Sequence, residues 1–369
     1  MIFVGLHAAL MTGLFLEWLR EKRALGNVSK ELPGVSVIIP VHNESHRLEG
    51  LLRSLEAQDY PRTRIIFIDD RSGDGSAEMI SAFIGRMQGR LEAGIITLKE
   101  NPGFNRKQYA LARGIEMSSD EFILFTDADC EVPPHWIGAM VKRMSDKRTG
   151  ALIGPVLKRS GGRGFFHLYE CYEHGIRYAY LAGATGLGAA GGGFGNNLIL
   201  RRAALDAVGG YENIPPSPTE DAALVSKIRS CSDYQIRAAL GSDVHVITQG
   251  ESSWKDLINQ TLRWNNGGLF SPDLVTRLNY TFLMVTISMG IVTIPLLPFF
   301  PSVWPFPAGV LSAMILNTAA TLGLFGVSLP RRNFSFGYAL TLLFTPVYFT
   351  FLTILGFLGF KPSWKGEKL

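Results

Sequence analysis

The sequence predicts an α/β protein, a mostly parallel sheet covered by helices, with transmembrane helices at its N-terminal and C-terminal ends. Two observations carry this. Short β-branched runs recur about thirty residues apart, at 34–40, 64–70, 93–98 and 121–127, with amphipathic stretches such as HRLEGLLRSLEAQ and FNRKQYALARGIEM between them. That is the rhythm of βαβ units. The second observation is that 47% of the 369 residues are hydrophobic, and this apolar excess is concentrated at the two ends of the chain.

At the first end, residues 1–16 contain no Lys, Arg, Asp or Glu, and the basic cluster Arg20, Lys22 and Arg23 follows. A secretory signal carries its positive charge ahead of the apolar run. Here the order is reversed, so residues 1–20 read as a retained transmembrane anchor, just long enough to span, with the following domain on the cytoplasmic side. A cleaved signal is the alternative.

Ligands of open α/β sheets collect beyond the carboxyl ends of the strands. Those ends read PVHNE (40–44), DDRSGDGS (69–76) and DADCE (127–131), which brings acidic and polar groups from three strands to one edge. No G-x-G-x-x-G follows the first strand, and G-x-x-x-x-G-K-[ST] occurs nowhere, so a dinucleotide enzyme and a P-loop ATPase are disfavoured. Asp127 and Asp129 would repel one another. A lone D-x-D is ordinarily a solvated turn; beside these other strand ends, the pair suits a hard cation, Mg²⁺ or Mn²⁺, held between carboxylates and a diphosphate.

At the second end, residues 278–360 contain no Asp or Glu, and their only Lys or Arg are Arg331 and Arg332. Apolar segments near 278–300, 303–328 and 334–360 are each long enough to cross a bilayer. The Arg pair marks its loop as cytoplasmic. Three full crossings would put the tail outside, whereas Lys361, Lys365 and Lys368 favour the inside. One segment is therefore expected to be re-entrant or interfacial, and Pro295 and Pro298 single out the first. Three scattered cysteines, Cys130, Cys171 and Cys231, form no disulfide framework or zinc spacing. A net charge of +4 without arginine-rich tracts makes nucleic acid an unexpected partner.

Four stretches in order, SVIIPVHNE, IIFIDDRSGDGS, FTDADCE with PTEDAAL at 218–224, and QTLRW at 260–264, resemble the inverting family 2 glycosyltransferases of GT-A fold. The resemblance is to the membrane-anchored branch that includes ceramide and carotenoid glucosyltransferases and polysaccharide synthases. It implies a GT-A domain over 33–265, including an interfacial helix at 253–265, flanked by the anchor and by membrane segments over 278–360. It also implies that Pro40, His42 and Glu44 lie against the nucleotide, that Asp70 accepts the uracil imide proton, and that Lys107 approaches the nucleotide or its diphosphate. Asp127 and Asp129 would hold the metal, with Asp129 in direct contact, and Asp221 would be the general base.

Gln260, Arg263 and Trp264 share one helix face. By the resemblance Gln260 and Arg263 help hold the diphosphate while Trp264 walls the acceptor pocket; an interfacial Trp and Arg belt is the competing reading. Thr261 stands where commoner forms of the motif have Gln or Arg. The resemblance places GGFGNN near the donor sugar and acceptor, with Asn196 and Asn197 hydrogen bonding, and Gly191 to Gly193 are expected to need unusual backbone angles. The implied activity transfers a hexose from a UDP-sugar to a hydroxyl of a lipid acceptor, such as a carotenoid, ceramide or diacylglycerol, at the cytoplasmic membrane. The rivals are a processive polysaccharide synthase, a polyprenyl-phosphate sugar transferase, disfavoured because Q-x-x-R-W is not expected in it, and, outside enzymes, a non-catalytic nucleotide-binding membrane protein or a small transporter.

Overall fold

A computed structural model describes residues 2–26, 32–100, 105–162, 164–325, 334–364 and 367–368. The Arg331–Arg332 loop and Lys365 lie outside the described residues. The helices are α1 (Ile2–Gly26), α2 (Leu48–Glu56), α3 (Ser76–Met87), α4 (Arg106–Glu116), α5 (Trp136–Arg143), α6 (Phe165–Gly186), α7 (Arg202–Asp206), α8 (Glu220–Cys231), α9 (Trp254–Leu269), α10 (Leu274–Val292), α11 (Pro305–Phe325) and α12 (Phe334–Phe357). The strands that matter here are β1 (Val35–Val41), β2 (Thr63–Asp69), β3 (Glu92–Thr97), β4 (Phe122–Phe125), β5 (Cys130–Glu131), β6 (Thr149–Ile153), β7 (Val156–Arg159), β8 (Leu198–Arg201), β9 (Gln235–Ala238) and β10 (Val246–Gln249). The chain divides into two compact units, a sheet unit of residues 17–156 and 193–248 and a helical unit of 1–16, 157–192 and 249–369.

In the sheet unit a seven-stranded sheet has the order β3-β2-β1-β4-β8-β6-β9. β1 runs parallel to both β2 and β4, β2 to β3, and β6 to β9, while β8 pairs antiparallel with β4 and β6. Only β8 therefore runs against the rest. The continuous apolar runs of β1 and β2 are what a sheet covered on both faces requires. Val37, Ile39, Phe67 and Leu124 are fully buried. On α2 the spacing Leu48, Leu51, Leu52, Leu55 makes one apolar stripe, which packs into the same core as Phe83 of α3 and Trp136 of α5. The predicted α/β class with a mostly parallel sheet is borne out, and the four predicted strands fall on β1 to β4.

The second half of α1 is polar and belongs to this unit. Glu17, 1% exposed, accepts from the Ala238 amide at 3.0 Å, and Glu21 accepts from the Leu240 and Gly241 amides at 3.1 Å each. These carboxylates satisfy N–H groups at the end of the edge strand β9, which would otherwise be left without partners. Arg143 ties the arrangement together, donating to Glu21 at 2.5 Å and to both oxygens of Asp243 at 2.6 and 3.0 Å.

The helical unit packs α6 with α9 to α12 and the first half of α1. Its core includes Tyr169, Tyr172, Ile176, Leu257, Ile287, Met314 and Tyr348. A side chain on Gly13 of α1 would collide with the Gly183 carbonyl of α6, so glycine there permits direct backbone contact between the two helices. Among the described residues, three helical stretches are long and apolar enough to cross a membrane: Leu274–Leu296, Pro301–Phe325 and Gly337–Phe357. They match the three segments read from the sequence; α1 is not one of them. Between the first two the chain passes through short 3-10 turns at Ile294–Leu296 and Pro301–Val303, where Pro295, Pro298 and Pro301 prevent a continuous helix.

A buried polar network crosses the helical unit. Lys158 and Glu170, each 1% exposed, pair at 2.7 Å. Lys158 also donates to Gln260 Oε1 at 2.6 Å, and Gln260 Nε2 donates to Glu251 Oε1 at 2.5 Å. Both ends of the Gln260 carboxamide are thus engaged. Burying two charges is costly unless each keeps its partner.

These two networks differ from surface pairs such as Arg53 with Glu49, which are largely exposed. In thermal unfolding of the detergent-solubilised protein, Arg143→Met is expected to cost about 3 kcal/mol by leaving Glu21 short of its partner, whereas Arg53→Met stays within about 0.5 kcal/mol. Lys158→Met alone should destabilise comparably, and adding Glu170→Leu should restore most of the loss, because an apolar pair tolerates burial that a lone carboxylate does not. Equal melting temperatures for the single and double variants would contradict this.

Candidate active site

The site begins where β1 and β2 end. Asp70 donates its amide to the Val41 carbonyl at 2.8 Å, extending the ladder one step past the strands. The two following loops are then stitched to each other. The Asn43 amide donates to Ser72 Oγ (3.0 Å), the Gly73 amide to Asn43 Oδ1 (2.9 Å) and the Glu44 amide to Ser76 Oγ (3.0 Å). Asp74 accepts from the amides of Ser45 (2.9 Å) and Ser76 (3.1 Å). Burial pushes the Asp74 carboxyl up, but the Ser76 and Ser45 hydrogen bonds together outweigh it and hold the group well below the usual carboxylate range. Asn43 (φ 54°) and Arg71 (φ 57°) are left-handed. Asn accepts that conformation readily, but Arg does so under strain that the surrounding loop must hold.

Arg71 spends that conformation on Asp70. Its Nε and Nη2 both reach Asp70 Oδ1, at 2.8 and 2.7 Å, while Arg106 Nε lies 4.0 Å from Oδ2. His42 Nδ1 donates to the Asp70 carbonyl at 2.6 Å. Pro40, the penultimate residue of β1, is partly exposed beside them.

The acidic centre follows β4. Lys107, second residue of α4, lies 2.8 Å from Asp127 Oδ1 and 3.4 Å from Glu220 Oε1. Burial works against its charge, but Asp127 and Glu220 overcome that, so Lys107 is held protonated well above the usual lysine range. Asp129 faces Arg47, whose Nη1 is 3.6 Å from Oδ2. Burial, then the nearby charges of Asp127 and Glu44, raise its proton affinity above that of an ordinary aspartate. The two aspartates repel as the sequence requires, and each has been given a separate cation.

Asp221 is the second residue of α8. Its Oδ2 accepts from the Gly195 amide and its Oδ1 from the Ala222 amide, both at 2.8 Å. A Cβ on Gly193 or Gly195 would come within 2.9 or 3.1 Å of the Asp221 Cβ. The glycines there serve close approach. The expectation of unusual backbone angles at Gly191 to Gly193 is corrected, since none of the three has positive φ. The expectation for Asn197 is corrected too: it is fully buried. Its amide is spent on the Trp136 indole (3.0 Å) and the Pro155 and Val244 carbonyls (2.9 and 2.8 Å). Its place just before β8 turns it into the core. Asn196 remains partly exposed, its amide nitrogen 3.6 Å from Cys130 Sγ.

Pro40, His42, Glu44, Asp70, Lys107, Asp127, Asp129 and Asp221 thus share the sheet unit. Gln260, Arg263 and Trp264 belong to α9 in the helical unit. There Gln260 is held by Lys158 and Glu251, and Trp264 packs 5.4 Å from the His174 ring and 5.6 Å from the Arg177 guanidinium. Thr261 is fully buried and hydrogen-bonds Tyr348, which accounts for a small hydroxyl residue at that position. Sequence reasoning missed Arg47, Arg71 and Glu220. The available signal was that both arginines sit inside the acidic loops they neutralise.

Asp127 and Asp129 offer hard oxygen donors of the kind Mg²⁺ and Mn²⁺ select. Among the described residues no group of three or more His, Cys, Asp or Glu could hold a metal by itself. Such ions commonly take one or two carboxylates and complete their shell with phosphate oxygens and water, so this donor set fits a cation that arrives with a diphosphate.

Comparison with known proteins places these residues in a family. Residues 36–209 match the family model for glycosyl transferase family 2. A probable glycosyltransferase of Bacillus subtilis, YdaM, is 26% identical over 72% of this chain and 63% of its own length. An undecaprenyl-phosphate 4-deoxy-4-formamido-L-arabinose transferase of Pseudomonas aeruginosa is 37% identical over 30% of this chain and 32% of its own. The chain thus spans less than two thirds of either curated relative. A mannosyltransferase from Pyrobaculum calidifontis, solved with GDP-Man and Mn²⁺, shares the fold at a TM-score of 0.55 and 19% identity, covering 96% of this chain and 98% of that one. The strand ends that carry Glu44, Asp70, Asp127 and Asp129 all lie inside the matched segment, and residues 36–209 form a glycosyl transferase family 2 domain of GT-A fold.

Proposed function

We infer that this protein is a membrane-bound, metal-dependent inverting glycosyltransferase that moves a hexose from a UDP-sugar to a hydroxyl of a lipid acceptor. The observation that carries the reading is the placement of Lys107 between Asp127 (2.8 Å) and Glu220 (3.4 Å), the residue next to Asp221. This joins the D-x-D and the candidate base through a single cation.

In this reading Pro40, His42 and Glu44 line the nucleotide, and Asp70, flanked by Arg71, accepts the imide proton of the base. Lys107 meets the diphosphate. Asp127 and Asp129 would hold Mg²⁺ or Mn²⁺, which when bound neutralises charge on the departing diphosphate. Asp221, its carboxylate aligned by the Gly195 and Ala222 amides, takes the proton of the acceptor hydroxyl. That oxygen bonds to the anomeric carbon as the bond to UDP breaks, UDP leaves with the electron pair, and one displacement inverts the configuration. The family resemblance assigns Gln260 and Arg263 to the diphosphate and Trp264 to the acceptor pocket.

The lipid acceptor is supported by three apolar helices in the same chain and by the undecaprenyl-phosphate named for the Pseudomonas relative. The domain layout proposed is an anchor at 1–20, a glycosyltransferase domain at 33–265 and membrane segments over 278–360. The basic residues Arg20, Lys22 and Arg23 put the catalytic domain on the cytoplasmic side.

The test incubates detergent-purified protein with Mn²⁺ or Mg²⁺, labelled UDP-sugars in turn, and host lipid extract. Label should enter the organic phase. Asp221→Asn should reduce transfer by about 100-fold or more while UDP-sugar affinity stays near wild type, and Asp129→Ala should weaken metal-dependent UDP binding. Full transfer by Asp221→Asn would remove the base assignment, and label in an insoluble polymer would replace the lipid acceptor with a growing polysaccharide.

A further inference from the structure

The two aspartates of the acidic centre are neutralised in different ways. Lys107 makes hydrogen-bond contact with Asp127 at 2.8 Å and is backed by Glu220. Arg47 stops short of the carboxylates: Nη1 is 3.6 Å from Asp129 Oδ2 and Nε is 3.8 Å from Glu44 Oε2, both beyond hydrogen-bond length, and Nε donates instead to His46 Nε2 at 2.9 Å. The Arg47 backbone is fixed by a 2.8 Å bond to the Glu44 carbonyl, while its side chain is 37% exposed. One cation is in hydrogen-bond contact with its aspartate, and the other faces its aspartate without a hydrogen bond to it, its own bond being to the neighbouring exposed His46.

A Mg²⁺ or Mn²⁺ ion would sit about 2.0–2.2 Å from a carboxylate oxygen. A guanidinium holding its present distance from Asp129 Oδ2 would then crowd a divalent charge across a few ångströms, where repulsion is strong. A nucleoside diphosphate arriving with that ion brings anionic oxygens, and a guanidinium binds such oxygens in a two-pronged fashion that an ammonium does not match. We propose that Arg47 is an exchangeable counter-ion, paired with Asp129 in the metal-free protein and transferred to the donor's diphosphate when a divalent cation takes Asp129. The proposal rests on the donor-site reading above and adds to it a residue outside the motif positions that suggested that reading.

Exchange has a signature that support of the fold lacks. If Arg47 competes with the metal but binds the diphosphate, removing it strengthens one ligand and weakens the other. The experiment uses the full chain in detergent, stripped of metal. Mn²⁺ binding without nucleotide is followed by electron paramagnetic resonance of the free ion, and UDP binding at saturating Mn²⁺ by calorimetry. Arg47→Gln should bind Mn²⁺ severalfold more tightly and UDP about tenfold more weakly, the scale of one charge-assisted hydrogen bond. Arg47→Lys should keep near wild-type Mn²⁺ affinity, since it keeps the charge, and still lose UDP affinity because it lacks the fork. Affinities that move together, or neither moving, would overturn the exchange. Absence of Mn²⁺-dependent UDP binding in the wild type would overturn the donor-site reading itself, and that result is read before any variant is compared.

Discussion

The constraint on which this structure turns is the crowding of carboxylates at one edge of a parallel sheet. Because β1, β2 and β4 are neighbours pointing the same way, the residues that follow them, Glu44, Asp70, Asp127 and Asp129, emerge together. Left alone, these carboxylates would repel one another. The chain answers with cations from nearby segments: Arg71 and Arg106 toward Asp70, Lys107 for Asp127, Arg47 toward Asp129. A surface of paired opposite charges is thereby held at the place where a charged donor and its metal would dock.

That surface needs a rigid support, and the sheet unit supplies one in apolar form. The core behind it is made of β1 and β2 residues with the Leu stripe of α2, Phe83 and Trp136, so the loops bearing the acids start from backbone that has little freedom. Their stitching through Asn43, Ser72, Ser76 and Asp74 extends that order beyond the strand ends. The helical unit follows a different logic. Its membrane-length helices expose large apolar side chains such as Phe282, Leu343 and Phe357, and four of its charges, Lys158 with Glu170 and Glu173 with Arg177, lie in the interior as mutual partners, since a buried charge is tolerated only when paired.

Much of the fold was legible because its signals are local. The β-branched runs gave β1 to β4 to within a few residues, and the tract free of acidic residues gave the three apolar helices. The edge position of β9 and the reversed direction of β8 were not legible, since pairing is decided by long-range packing that no local pattern records. In the site, the acids and Lys107 were visible, but which cation pairs with which acid was not. A D-x-D has a fixed spacing, whereas Arg47 and Lys107 come to it from 82 and 20 residues away in sequence. Asn197 shows the opposite error, a polar residue in a suggestive motif that burial turns into a bracket for Trp136. Thr261 likewise follows from its contact with Tyr348 and not from the motif around it.

The central claim is that the carboxyl edge of β1, β2 and β4 is where a nucleoside diphosphate and its metal bind. The most direct test is an experimental structure of the protein with UDP and Mn²⁺. The account predicts the base beside Asp70, the ion on Asp129 and the diphosphate in reach of Lys107. A nucleotide bound elsewhere, or an ion that leaves Asp127 and Asp129 in their present pairs with Lys107 and Arg47, would contradict it.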